Sequence, residues 1–155
     1  MSNSTALAQR LALAVPALLL AGAYLSEYGF GLHPCEMCWW QRWPHFAAVG
    51  LALASFAIPP KRFWIAMAAG GIFTSGAIGV FHAGVEYGFW EGITACTAVE
   101  AEGVNALDAI LNTPLIRCDV PQWTLAGISL AGFNAIISIG SAIAIWVLMS
   151  RKEAA

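Results

Sequence analysis

Cys35 and Cys38, the two ends of "CEMC", are followed one helical turn later by Arg42, in a stretch that also holds Trp39, Trp40, Trp43 and His45. A Cys-x-x-Cys pair suits thiol–disulfide exchange, half of a zinc site, a static bridge or covalent haem attachment. Haem attachment needs His directly after the second cysteine, where this chain has Trp39. Zinc sites usually join two closely spaced pairs, and the remaining cysteines, Cys96 and Cys118, lie far apart in sequence. A bridge across so short a loop restrains the unfolded chain little. Redox chemistry is the reading these residues favour. Its working species is the thiolate, which a nearby cation stabilises. If the stretch is helical, Arg42 shares a face with Cys38, and a guanidinium keeps its charge beside a membrane. The tryptophans fit an interfacial aromatic belt, and equally a flat apolar wall for a planar, lipid-soluble electron acceptor. His45 and His82 are expected near the same edge, as interfacial hydrogen-bonding groups or, alternatively, as a haem-binding pair.

The elements that position these residues follow from composition. The 155 residues are 59% hydrophobic and 10% charged, against about 25% charged in a soluble domain. Four stretches lack Asp, Glu, Lys and Arg: 11–26, 43–60, 63–85 and 120–150. A membrane helix needs roughly 20 mostly apolar residues. The expectation is an all-α, four-transmembrane-helix bundle, a single integral membrane domain over 1–155, with helices at about 10–28, 43–60, 63–83 and 122–150. A secretory signal peptide is the rival for the first stretch, with Arg10 as its basic flank and "AGA" at 21–23 as a small-residue cleavage site.

Arg10, Lys61, Arg62, Arg151 and Lys152 all fall on one side of such a bundle, which the positive-inside rule makes cytoplasmic. The other side carries Arg42, Arg117, most of the acids and all four cysteines. Disulfides persist outside the cytosol, so two redox pairs or two bridges are expected in the outward-facing loops, 29–42 and 84–121. Pro34 suits the first position of a helical turn, and Pro44 interrupts helical bonding. A short turn should therefore hold the cysteines, with the second membrane helix starting near Pro44. In the longer loop, Val99, Val104, Leu107, Ile110 and Leu111 recur near helical spacing among Glu100, Glu102 and Asp108. They suggest a short amphipathic helix on the membrane surface or capping the bundle. Ser129, Asn134 and Ser138 are expected to assist packing between helices.

"CEMCWWQR" resembles the Cys-x-x-Cys-x-x-(Glu/Gln)-Arg signature of the bacterial inner-membrane disulfide bond formation protein B (DsbB) family, and "FHAGVE" at 81–86 and "RCDVPQW" at 117–123 are similar to further family segments. The resemblance spans nearly the whole chain. It implies that Cys96 exchanges with a reduced periplasmic DsbA-like thioredoxin-fold oxidase, with Cys118 as its partner. Electrons would then pass to Cys35 and Cys38, through a bridge between Cys35 and Cys118, and on to a quinone, ubiquinone or menaquinone. It also implies that Arg42 stabilises the Cys38 thiolate and contacts the quinone, with His82 as a second contact. Energetics agree. DsbA has a potential of about −120 mV, so an ordinary thiol acceptor near −200 mV would make the transfer uphill by several kcal/mol. Neither a bound metal nor nucleic acid is expected. Two other readings remain open at this point: a membrane scaffold with purely structural disulfides, and a haem-bearing electron carrier.

Overall fold

The computed structural model describes residues 3–93 and 116–151. Among them are four helices, α1 (Asn3–Phe30), α2 (Glu36–Ala57), α3 (Lys61–Glu86) and α4 (Leu130–Ser150). They fit a four-helix bundle. At 1.5 Å per residue, the 28 residues of α1 extend about 42 Å. The helices α1, α3 and α4 are long and apolar enough to cross a membrane. By contrast α2, with 22 residues, carries Glu36, Gln41, Arg42 and His45 in its outer half and falls short by composition.

The second helix departs from expectation. It starts at Glu36 rather than near Pro44, with Cys35 in extended conformation as its N-cap and the Cys35 sulfur accepting the Cys38 N–H at 3.4 Å. Pro34 therefore precedes the cap instead of opening the helix. The helix runs straight through Pro44, as membrane helices can when neighbours compensate the lost backbone bond. Gly71 brings α3 against this stretch, since a Cβ there would lie 3.1 Å from the Pro44 carbonyl oxygen.

The last helix also starts later than its uncharged stretch suggested. A hairpin precedes it, β1 (Thr124–Leu125) pairing antiparallel with β2 (Ile128–Ser129). Its turn residues Ala126 and Gly127 both have positive φ, 52° and 79°, as a tight two-residue hairpin requires. Ser129 then caps α4 by accepting the Gly132 N–H at 3.1 Å. Cys96 and the expected amphipathic helix fall in 94–115, outside the described residues.

Small side chains let the helices approach closely. Ala8, Ala12, Ala48, Ala52, Ala68, Ala69 and Ala142 join Ile65, Ile72 and Ile145 in the core, the packing mode of helices in lipid. A Cβ on Gly79 would sit 3.0 Å from the Ala131 carbonyl oxygen, so α3 and α4 touch backbone to backbone. Outward faces are apolar, with Leu18, Leu53, Phe63, Ile136 and Val147 exposed. That is the reverse of a water-soluble bundle. The ends of α1 and α3 and the starts of α2 and α4 meet at one end, where the functional side chains gather.

Candidate redox site

The cap on α2 sets the first pair. Because Cys35 caps and Cys38 lies in the first turn, the sulfurs are 3.1 Å apart, hydrogen-bonded as thiols. Cys35 is 2% exposed and Cys38 half-buried. Cys118 is buried with Cys35, Met37 and Val85, in a small apolar cluster that Phe81, Ile116 and Trp40 border. The Cys118 side chain hydrogen-bonds to Cys35. That bond pulls the Cys35 pKa down, but the hydrogen bond with Cys38 and burial outweigh it and push the thiol up to about 12.

His82, one turn before the end of α3, faces the pair. Its Nε2 lies 3.6 Å from the Cys35 sulfur and 3.8 Å from the Glu86 carboxylate. On its other side Gln41 Nε2 donates to His82 Nδ1 at 2.8 Å. Asn134 Nδ2 donates to Gln41 Oε1 at 2.8 Å, and Asn134 Oδ1 receives His45 Nε2 at 2.9 Å. Two further bonds fix the direction of this chain. The Gln41 amide nitrogen also donates to the Met37 carbonyl, and that of Asn134 to the Ser75 carbonyl. The Gln41 N–H groups therefore meet Met37 and His82, and those of Asn134 meet Ser75 and Gln41. It follows that His82 carries its ring hydrogen on Nε2, toward Cys35, and that His45 carries its own on Nε2. His45 Nδ1 is left buried without a partner.

Arg42 is 5% exposed. It turns toward α1, where NH1 donates to Glu27 at 2.6 Å and NH2 to the Ala23 carbonyl at 3.3 Å. Its guanidinium lies 4.8 Å from the ring centres of both Tyr24 and Trp39. One tryptophan of the motif is thus a stacking partner for the cation.

Cys35, Cys38, Arg42 and His82 all line one cavity of about 280 Å³, with Gln41, His45, Glu86 and Asn134. Its remaining wall is largely apolar, from Leu18, Leu19 and Leu20 of α1 and Leu130 and Phe133 of α4. Leu18 is 71% exposed on the outer surface, so the cavity reaches toward lipid between α1 and α4. Such a space is close to the lower end of ligand pockets, with polar groups on one side and apolar side chains on the other.

The structure brings together five of the six residues expected to act, and Cys96 lies outside the described residues. Glu27, Gln41 and Asn134 join the site beyond the residues expected there. Gln41 and Asn134 are signalled by spacing, since Cys38, Gln41 and His45 fall on one face of α2 and Asn134 and Ser138 on one face of α4; Glu27 has no such signal. Polar groups within membrane helices normally face the bundle interior.

A sequence profile of the disulfide bond formation protein DsbB family matches residues 5–148. The chain is also 22% identical over 128 residues to the uncharacterized protein RP370 of Rickettsia prowazekii (strain Madrid E), covering 79% of this chain and 74% of that one. No solved structure matches it. With the profile covering nearly the whole chain, this protein belongs to the disulfide bond formation protein DsbB family, membrane oxidoreductases of disulfide-forming chemistry.

Proposed function

We propose that the protein reoxidises a periplasmic DsbA-type dithiol oxidase and passes the electron pair to a membrane quinone. The observation that carries this reading is the position of Cys35. It bonds to Cys118 on one side and to Cys38 on the other, while Cys38, Arg42 and His82 wall a cavity that reaches lipid.

A thiolate of the reduced partner attacks Cys96 of a Cys96–Cys118 disulfide, forming a mixed disulfide and releasing Cys118 as thiolate. The partner's second thiol resolves the mixed disulfide, so the partner leaves oxidised and both loop cysteines are reduced. Cys118 then attacks Cys35 of the Cys35–Cys38 disulfide, releasing Cys38, and Cys96 resolves that bridge to regenerate Cys96–Cys118. Cys35 and Cys38 now hold two electrons and two protons. A quinone held beside Cys38, Arg42 and His82 would supply the acceptor for both, and with the pair given up Cys35 and Cys38 return to the disulfide. The chain's own residues prepare this last step. His82 turns Nε2–H toward the Cys35 sulfur and the Cys118 backbone, Gln41 fixes that tautomer, and the Arg42–Glu27 pair holds a cation beside the cavity. On this reading the cysteines face the periplasm and both termini the cytoplasm, which the positions of Arg10, Lys61, Arg62, Arg151 and Lys152 support.

Absorbance of quinone tests the reading, with protein in detergent and reduced DsbA-like protein as donor. The native chain turns over and Cys38→Ser does not. Absence of turnover by a folded native chain with any quinone would overturn it. The haem reading has less support, because His45 and His82 each bond to an amide of the chain that separates them.

A further inference from the structure

We propose that the reduced site also binds a thiophilic divalent cation, zinc being the natural candidate, through Cys35, Cys38, Cys118 and His82. The Cys35 and Cys38 sulfurs and a His82 ring nitrogen all lie within 4.8 Å of one another. The two direct separations are 3.1 Å between the sulfurs and 3.6 Å from the Cys35 sulfur to Nε2. Tetrahedral zinc, with Zn–S of about 2.3 Å and Zn–N of about 2.0–2.1 Å, holds two sulfurs roughly 3.8 Å apart and a sulfur roughly 3.6 Å from a nitrogen. The Cys35–His82 separation already matches, and the two sulfurs must part by about 0.7 Å to complete one face of a tetrahedron. The Cys118 sulfur stands outside that 4.8 Å group, so Cys118, buried and hydrogen-bonded to Cys35, must move in to supply the fourth donor. Three thiolates and one imidazole form a well-known structural zinc set. No sequence spacing announces it, because Cys118 arrives from the far end of another loop.

Binding moves no electrons. The cation displaces the thiol protons, which go to solvent, and leaves three thiolates and a neutral ring around the metal. A Cys35–Cys38 disulfide removes two of the donors, so metal binding and oxidation of the pair exclude each other. The cation therefore captures the fully reduced protein and withholds its electrons from any acceptor. This requires only that the cysteines be reducible, and does not depend on the identity of the acceptor.

The hydrogen-bond chain adds a specific signature. A metal on His82 Nε2 sends the ring hydrogen to Nδ1, which now accepts from the Gln41 amide nitrogen. Gln41 must turn its oxygen toward the ring, against the bonds that hold it. A carboxylate at that position accepts from Nδ1–H directly, the arrangement that strengthens metal-bound histidines.

Cobalt titration of the reduced, full-length protein in detergent provides the test. The expected result is one equivalent bound, with the visible bands of a tetrahedral site and thiolate-to-cobalt charge-transfer bands, all displaced by zinc. Oxidised protein gives neither. Cys38→Ser and Cys118→Ser each weaken binding at least about tenfold, and Gln41→Glu tightens it by about tenfold. No saturable binding to the reduced native chain would overturn the proposal, as would an octahedral spectrum without thiolate bands or unchanged affinity in Cys118→Ser. The native spectrum decides even where a variant fails to fold. Quinone reduction by metal-free protein is a separate readout, so failure of either proposal is distinguishable from failure of the other.

Discussion

The Arg42 guanidinium and the Glu27 carboxylate form a 2.6 Å ion pair between α2 and α1, with side chains only 6% and 14% exposed. A cation fixed this way beside the cavity is already neutralised in part. Its guanidinium plane, stacked near Tyr24 and Trp39, also forms part of the cavity's shape. Arg42→Lys keeps the charge but loses the planar fork and the stacking. Its KM for quinone should rise at least about tenfold with a smaller change in kcat. Steady-state quinone reduction checks this.

Removing Glu27 leaves the opposite problem. Glu27→Gln strands a buried guanidinium, and breaking a buried pair costs about 3 kcal/mol. The variant should melt measurably lower in detergent. The double variant Glu27→Gln, Arg42→Met should recover part of that loss while remaining inactive, which thermal unfolding and turnover together would show.

Asn134 joins three helices, bonding Gln41, Ser75, His45 and Ser138. Asn134→Ala removes all four partners at once. Unpaired buried polar groups cost about 1–3 kcal/mol, so destabilisation of about 2 kcal/mol is expected. Because Gln41 keeps its bond to Met37 but loses the one to Asn134, the His82 tautomer is held less firmly. The rate of quinone reduction should fall even at temperatures where the variant remains folded.

Cys35 gives a pH prediction. With its pKa raised to about 12, chiefly against the pull of the Cys118 hydrogen bond, the reduced residue is almost entirely thiol at neutral pH. Its alkylation should rise close to tenfold per pH unit up to about pH 11, well beyond an ordinary cysteine. Cys118→Ala removes the contribution that lowers the pKa and should slow Cys35 alkylation further. Mass spectrometry of iodoacetamide-treated protein across a pH series measures both.

Close packing of α3 predicts where the fold is brittle. A Cβ at Gly76 would meet Ile139 Cγ1 at 2.8 Å, Ser138 Cβ at 3.0 Å and the Ile139 backbone nitrogen at 3.1 Å, and one at Gly79 the Ala131 carbonyl oxygen at 3.0 Å and the Ala135 backbone nitrogen at 3.1 Å. Both sites abut the α4 backbone, which cannot move aside. Gly76→Ala and Gly79→Ala should therefore each destabilise the fold, within the 1–3 kcal/mol or so typical of overpacking. Thermal melts of the two variants check this.

Much of this site could be read from residue types alone. Cysteine spacing, the arginine that follows and the uncharged stretches suggested redox chemistry at one end of a helical membrane bundle. Hydropathy could not place helix ends, because a hairpin such as Thr124–Ser129 is as uncharged as the helix it precedes. Pro44 misled because its local cost is real, and only the tertiary setting reveals that α2 absorbs it. The partnership of Glu27 with Arg42 and the chain from His82 to His45 join different helices. Contacts of that kind depend on how the helices rotate against each other, which one sequence does not encode in any local pattern.

The central claim is that the Cys35–Cys38 pair itself delivers electrons to a quinone. A single-turnover experiment tests it most directly: reduced, metal-free protein is mixed with excess quinone and no partner, then quenched by alkylation and mapped by mass spectrometry. The account predicts quinol formed in step with a Cys35–Cys38 disulfide, and no reaction in Cys38→Ser. Quinone left unreduced while Cys35 and Cys38 remain thiols, or equal reduction by Cys38→Ser, would contradict it.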